Sequence, residues 1–350
     1  MGVWLCLLSA HGSAGPSGWI AYLAGSESGG LCVHVLDVAD KTDTGIGSGD
    51  CDGAPVWSPD GAWLAFSTRK PEGIGIVLAR QGAVETRSIS HANEWNSYPE
   101  GGEDFAQRIM VYDVETNSET AWGGDAKGLM RPMWLPNFRL LSTLNADPRV
   151  KNGNAALDRI KAGPVIVAAG VAGRPNALST GLFFVTADTA VPFPREALPS
   201  ATGQYAEWAV RPSPNGLRLA FESNDGGDRE IFCYTRERAV DVSNHRAADW
   251  NPVWSPDSRW VAFESFRGGR RGVYRIYADT ARVSTIAASP DCDDWSPAWS
   301  PDGKWIAYVS NRTGDPEIYV SDPTGEHTIR ITEHPGLDYA PSWCPRGHKP

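Results

Sequence analysis

The 350-residue sequence has no excess of positive charge: 32 Lys and Arg stand against 42 Asp and Glu, for a net charge of −10. Duplex nucleic acid is held by a basic footprint that neutralises phosphates, so nucleic acid is not an expected partner. The short basic group Arg267, Arg270 and Arg271 reads as a solvated loop. No run approaches the ~20 apolar residues of a membrane-spanning helix. The six cysteines (Cys6, Cys32, Cys51, Cys233, Cys292, Cys344) contain no C-x-x-C pair, which excludes zinc-ribbon and thioredoxin readings and leaves disulfide pairing unassigned. G-x-S-x-G is missing, and with it the strained turn that presents a hydrolase serine. H-E-x-x-H is missing as well, although the chain has seven histidines. At the N-terminus, Val3–Ala10 has the apolar character of a secretory core and Gly12-Ser13-Ala14 that of a cleavage site, but no basic residues precede them. Residues 1–18 are therefore set apart as a leader or an N-terminal segment.

The sequence is rich in Trp (15), Gly (37) and Pro (26), and a repeat explains the tryptophans. DGAPVWSPDGAWLAFS from Asp52, DWNPVWSPDSRWVAFES from Asp249, DWSPAWSPDGKWIAYVS from Asp294 and DYAPSWCPRG from Asp338 share one frame. EWAVRPSPNGLRLAFES from Glu207 keeps its length without the Trp, and RPMWLPNFRLL from Arg131 is a degenerate copy. Trp254, Trp299 and Trp343 recur at intervals of 45 and 44 residues, the size of one four-stranded propeller blade. Within a unit, Pro-Asp-Gly supplies a turn between the Pro-x-Trp strand and a Trp-Ile-Ala-Tyr strand. Ile-Tyr-Val and Thr-rich strands follow, and β-branched and aromatic residues favour strands over helices. Trp19-Ile20-Ala21-Tyr22 is a second strand with no first strand before it, and Trp343-Cys344-Pro345 is a first strand with no second after it. Pairing of these ends would complete one blade and remove the exposed edges.

The fold expected is therefore all-β: a single six-bladed β-propeller over residues 19–350, closed by its C-terminal strand against its N-terminal strands. The wide intervals from Trp57 to Trp134 and from Trp134 to Ser213 predict insertions near 70–104 and 145–180. These include the mixed aromatic and acidic stretch Trp95–Phe105 and a short helix at Ala155–Ala162. A seventh, eroded blade is the second reading, because Glu94-Trp95-Asn96-Ser97-Tyr98-Pro99 looks like a broken copy of Asp249-Trp250-Asn251-Pro252.

The combination Pro-x-Trp-Ser-Pro-Asp-Gly, x-Trp-Ile-Ala-Tyr and Ile-Tyr-Val-x-Asp resembles the TolB-like β-propeller repeat family, from about Trp19 to Gly347. The resemblance implies a non-enzymatic scaffold that binds a protein or peptide in the cell envelope or outside it, whether periplasmic, surface-exposed or secreted. The same repeat occurs in propellers attached to peptidases and lyases, so fold alone does not decide function. Two alternatives stand beside the scaffold: a metal-dependent enzyme using channel histidines and acids, and a structural subunit of a larger assembly.

An acid recurs three positions before the repeat proline: Asp52, Glu207, Asp249, Asp294 and Asp338, broken by Leu129 in the degenerate unit. Trp208, Trp250, Trp295 and Tyr339 follow it directly. A position repeated around a ring becomes a ring of side chains, so these nine residues are expected at one mouth of the channel. Two roles compete there: a negative, aromatic-rimmed funnel for a cationic peptide or a bound cation such as Ca²⁺, and strand-start turns with inter-blade packing. No cofactor is required by either. His91, His245 and His334 share a phase just before an acid–aromatic pair and are the candidate metal ligands, although loop positions in separate blades lie far apart. Asp60, Asp257 and Asp302 of the Pro-Asp turns are assigned to folding.

Overall fold

A computed structural model describes residues 15–25, 30–46, 54–57, 63–70, 73–80, 86–90, 109–113, 118–122, 129–146, 157–158, 160, 165–172, 179–186, 188–194, 207–225, 227–235, 238–333 and 336–345. The first sheet contains β1 (Trp19–Gly25), β2 (Leu31–Asp37) and β3 (Asp43–Ile46). The second is β4 (Val56–Trp57), β5 (Trp63–Lys70), β6 (Gly73–Arg80) and β7 (Thr86–Ser90). A two-stranded ribbon, β8 (Ile109–Asp113) and β9 (Ser118–Trp122), comes next. It is followed by β10 (Leu129–Trp134), β11 (Ile166–Ala172), β12 (Ser179–Val185) and β13 (Ala190–Pro192). The fourth sheet is β14 (Glu207–Pro212), β15 (Arg218–Ser223), β16 (Glu230–Thr235) and β17 (Arg238–Asp241). The fifth is β18 (Asp249–Trp254), β19 (Trp260–Ser265), β20 (Gly272–Tyr277) and β21 (Arg282–Ala287). The sixth is β22 (Asp294–Trp299), β23 (Ile306–Thr313), β24 (Asp315–Ser321) and β25 (Thr328–Arg330). The last strand, β26 (Asp338–Trp343), pairs antiparallel with β1, Ile20 opposite Trp343 and Ala24 opposite Asp338.

The first sheet is thus completed by the far end of the chain, as the two half-units at the termini predict. The expected all-β character holds, with six four-stranded sheets among the described residues. The β8–β9 ribbon lies where the second reading puts an eroded unit, and Glu94–Pro99 itself falls outside the described residues. Strands β6 and β7 occupy the described part of 70–104, and Trp95–Phe105 lies outside it. The longest connection into a described strand of the third sheet runs over 135–165 and carries helix α1 (Arg139–Asn145), whose Leu140, Leu141 and Leu144 are buried. Of Ala155–Ala162, the described Leu157 and Ile160 join the same core. No helix of the described residues is long and apolar enough to cross a membrane.

Strand chemistry follows position in the stack. Second strands are buried on both faces, as in Val261–Ser265 and Ile20–Ala24, because neighbouring sheets cover them on either side. The outermost strand of the sixth sheet, Thr328–Arg330, is short and largely exposed. The first strands β18, β22 and β26 share one burial pattern, with the acid, the proline and the last Trp inward-facing and buried. Their prolines (Pro252, Pro297, Pro341) are tolerated because a first strand is a sheet edge, where a missing N–H breaks no ladder. Inner strands of successive sheets lie against one another: β14 by β18, β18 by β22, β22 by β26.

The repeat tryptophans tie sheets together. Trp254 Nε1–H donates to the Arg211 carbonyl (2.9 Å), Trp299 to that of Val253 (3.2 Å) and Trp57 to that of Ser342 (3.1 Å). The Pro-Asp turns are closed units: Ser255 Oγ donates to Asp257 Oδ1 at 2.6 Å, and Trp260 N–H donates back to Ser255 Oγ. Ser300 and Asp302 repeat this, with Gly303 at φ +70° taking the left-handed turn position.

Candidate functional site

The first strands β14, β18, β22 and β26 begin with the acid–aromatic pair and then bulge. The register slips between Trp208 and Arg211, Trp250 and Val253, and Trp295 and Ala298, and the residue after each aromatic is left-handed: Ala209, Asn251 and Ser296 at φ of 50°, 55° and 53°. Ala340 in β26 does the same at φ 55°. A buried glutamate of the preceding sheet receives the bulge. Glu222 Oε1 accepts the Asn251 N–H (2.8 Å), and Glu264 Oε1 accepts the Ser296 N–H (3.0 Å). These bonds cross between sheets and set how the strand starts are aimed.

The bulge turns the recurrent acid inward. Asp249, Asp294 and Asp338 are all 0% exposed. Asp249 Oδ2 accepts from Arg267 Nη2 at 2.7 Å, and Asp294 Oδ1 accepts from Arg312 Nη2 at 2.8 Å. Each arginine also donates Nε to the serine two residues before it, Ser265 or Ser310, and lies over aromatic faces, Phe263 and Tyr274 or Tyr308 and Tyr319. These three carboxylates are therefore enclosed in the fold and do not face solvent as the funnel reading expects. Asp52 lies outside the described residues. Glu207 takes the expected strand position opposite Ser223, with its side chain, like that of Trp208, outside the description.

A second acid sits beside Asp249. Glu230 is buried, accepts from Ser243 Oγ (2.5 Å) and from the His245 N–H (3.1 Å), and its carboxyl is pushed up to about 7, first by burial and further by the adjacent Asp249. The fold thus favours protonated Glu230, and unfolding releases that proton between the ordinary carboxylate range and pH 7. This contribution is fully present at low pH and is lost as pH rises through about 7. In urea titrations at several pH values, Glu230→Gln is expected to flatten the decline of stability across that window. An unchanged slope would show that Glu230 does not hold the proton.

The aromatics remain at the surface. Trp250, Trp295 and Tyr339 are half-buried, and Phe266, 46% exposed, packs on Trp250 with ring centroids 5.1 Å apart. The Arg271 guanidinium lies over both Trp250 (5.5 Å) and Trp295 (5.3 Å) and is paired with buried Glu264 (2.5 Å). Arg271 thus covers ring faces of Trp250 and Trp295, where the funnel reading expects a cation from outside. The solvated-loop reading of the basic group holds best for Arg270, whose side chain is 44% exposed; Arg267 and Arg271 are held by buried acids.

Among the histidines, His245 is exposed, and its Nδ1 accepts the Ala247 N–H in a turn. His91 and His334 lie outside the described residues. No three His, Cys, Asp or Glu side chains gather into a metal-binding group among the described residues. In the first sheet, Tyr22 OH donates to Asp43 Oδ2 (2.9 Å), which also contacts His34 Nδ1 (2.8 Å), tying β1, β2 and β3 together. The described cysteines, Cys32, Cys233, Cys292 and Cys344, are free thiols.

No family model matches the chain. Two curated relatives do, each named as a TolB homolog. One, from Chlorobium chlorochromatii (strain CaD3), is 30% identical over 136 residues, 38% of this chain and 30% of its own length. The other, from Chlorobium luteolum (strain DSM 273 / BCRC 81028 / 2530), is 28% identical over 141 residues, 40% of this chain and 32% of its own length. The matched segments thus span about a third of those relatives. Among solved structures, TolB from Acinetobacter baumannii aligns with TM-score 0.56 at 13% identity, over 94% of this chain and 67% of that one. A putative TolB from Agrobacterium tumefaciens gives 0.55 at 14% identity, over 95% and 96%. An oligogalacturonate lyase in complex with manganese gives 0.58 at 13% identity, over 87% and 85%. At these identities the structures speak for a shared β-propeller fold and leave the chemistry to the site.

Proposed function

We propose, from the likeness to TolB-type propellers in repeat and in fold, that the chain is a non-enzymatic scaffold that binds a protein or peptide partner outside the cytoplasm. The observation that carries this is the surface at the strand starts, where Phe266, Trp250, Arg271 and Trp295 form a continuous aromatic and arginine ladder. Aromatic residues and arginine on a rigid frame are the composition of interface hot spots. The ladder is prepared in advance: inter-sheet bonds from Glu222 and Glu264 aim the strands, and Glu264 holds Arg271. Little side-chain freedom is then left to be lost on binding. The extracytoplasmic setting rests on the resemblance and its envelope partners.

A photo-crosslinking residue at Phe266 in the native host is expected to capture one discrete protein. The same residue at Lys304, on the exposed Pro-Asp turn, is expected to capture none of it. Equal capture at both positions, or capture at Lys304 alone, would remove this face from the account.

A further inference from the structure

Between β21 and the sixth sheet lies a crevice of about 420 Å³, within the size range of small-ligand sites. One wall is apolar, from Ile286, Ala287 and Ala288, and Asp294, Tyr308 and Arg312 also line it. Thr285, Ser289, Cys292, Thr324 and Thr328 complete the lining, with the Thr324 hydroxyl donating to Asp322 Oδ1. Arg312 is locked in place: Nε donates to Ser310, Nη2 donates to Asp294 and Tyr308, and the guanidinium lies 4.5 Å over the Tyr319 ring. Its Nη1 has no hydrogen-bond partner among the described residues, and the side chain is about a third exposed. The arginine therefore keeps one preorganised donor edge for a ligand. Its charge is offset by Asp294 at 2.8 Å, which removes the attraction an anion would need.

A neutral ion pair, a lining with several Ser and Thr side chains and one apolar wall suit a ligand that both donates and accepts hydrogen bonds and has an apolar face. We propose that this crevice binds a neutral polyhydroxylated ring, such as a single hexose unit. The ring would take the Arg312 Nη1 edge on one hydroxyl and lay its C–H face on Ile286 and Ala287. This site is independent of the partner surface, so it stands or falls without that reading.

Saturation-transfer NMR with D-glucose, D-galactose and myo-inositol, and acetate as the charged control, tests it. At least one neutral compound is expected to saturate. Thr285→Trp fills the crevice from an exposed position on the outer strand, and is expected to weaken binding at least tenfold with an unchanged melting temperature. Arg312→Lys keeps a cation near Asp294 but loses the second donor edge, and is expected to weaken binding by a similar factor. The proposal is overturned if none of the three saturates, if acetate binds as tightly as they do, or if Thr285→Trp binds like the parent protein.

Discussion

Arg267→Met is expected to lower the free energy of unfolding by about 3–5 kcal/mol, the usual result of removing one partner from a buried ion pair. Asp249 is fully buried, and the Arg267 side chain is only 12% exposed. Without the guanidinium the carboxylate has no nearby cation, and bulk water does not reach it. The same change also removes the bond to Ser265 and the packing over Phe263 and Tyr274. Pairing Arg267→Met with Asp249→Asn should recover a large part of the loss, because the uncompensated charge goes with it. Arg312→Met should cost less, since the Arg312 side chain is 32% exposed and solvent screens what remains. Urea denaturation of the parent and these three variants gives the comparison. A loss below about 1 kcal/mol for Arg267→Met would place Asp249 in water and return the acids to a surface role.

Removal of residues 337–350 is expected to abolish the folded state altogether. Strand β26 completes the first sheet beside β1 and places Trp343 in the core shared by the first and sixth sheets. Its Ser342 carbonyl accepts the Trp57 indole, and the Cys344 N–H that follows donates to the Trp19 carbonyl. Truncation therefore exposes the β1 edge, opens an apolar cluster and releases two ties at once, which leaves an aggregation-prone edge. A synthetic peptide of residues 337–350 added in trans should restore a cooperative melt. A truncated chain that stays monomeric and melts at the parent temperature would show that the last strand is dispensable.

The architecture was legible in the sequence to the extent that it is repetitive. The 45-residue period, the Pro-Asp turns and the half-units at Trp19 and Trp343 led to four-stranded sheets with one assembled from both ends of the chain. The repeat tryptophans mark the first strands, and their indole N–H groups reach across to the neighbouring sheet. The acids were found as a series, but their burial was not, because it depends on the left-handed bulge at Asn251 and Ser296, which no residue type demands. A signal for the missing partners was present: each paired arginine lies 18 residues after its aspartate, in the same Ser-x-Arg context. Asp338 stands in the strand that joins the N-terminal end of the chain, so its sheet partner is Ala24 and no such spacing exists. Arg271 looked like a solvent charge because Arg267–Arg271 is a dense, glycine-containing run; only the fold brings it between Trp250 and Trp295.

The central claim is that recognition runs through the aromatic and arginine ladder and not through an acidic funnel. The most direct test is to titrate the protein captured at Phe266 against the parent chain and Phe266→Asp at low and high salt. The account predicts at least tenfold weaker binding for Phe266→Asp, and a parent affinity that changes only about threefold or less between low and high salt. Binding that is indifferent to Phe266→Asp yet falls steeply with salt would contradict it and point to a charged site elsewhere on the molecule.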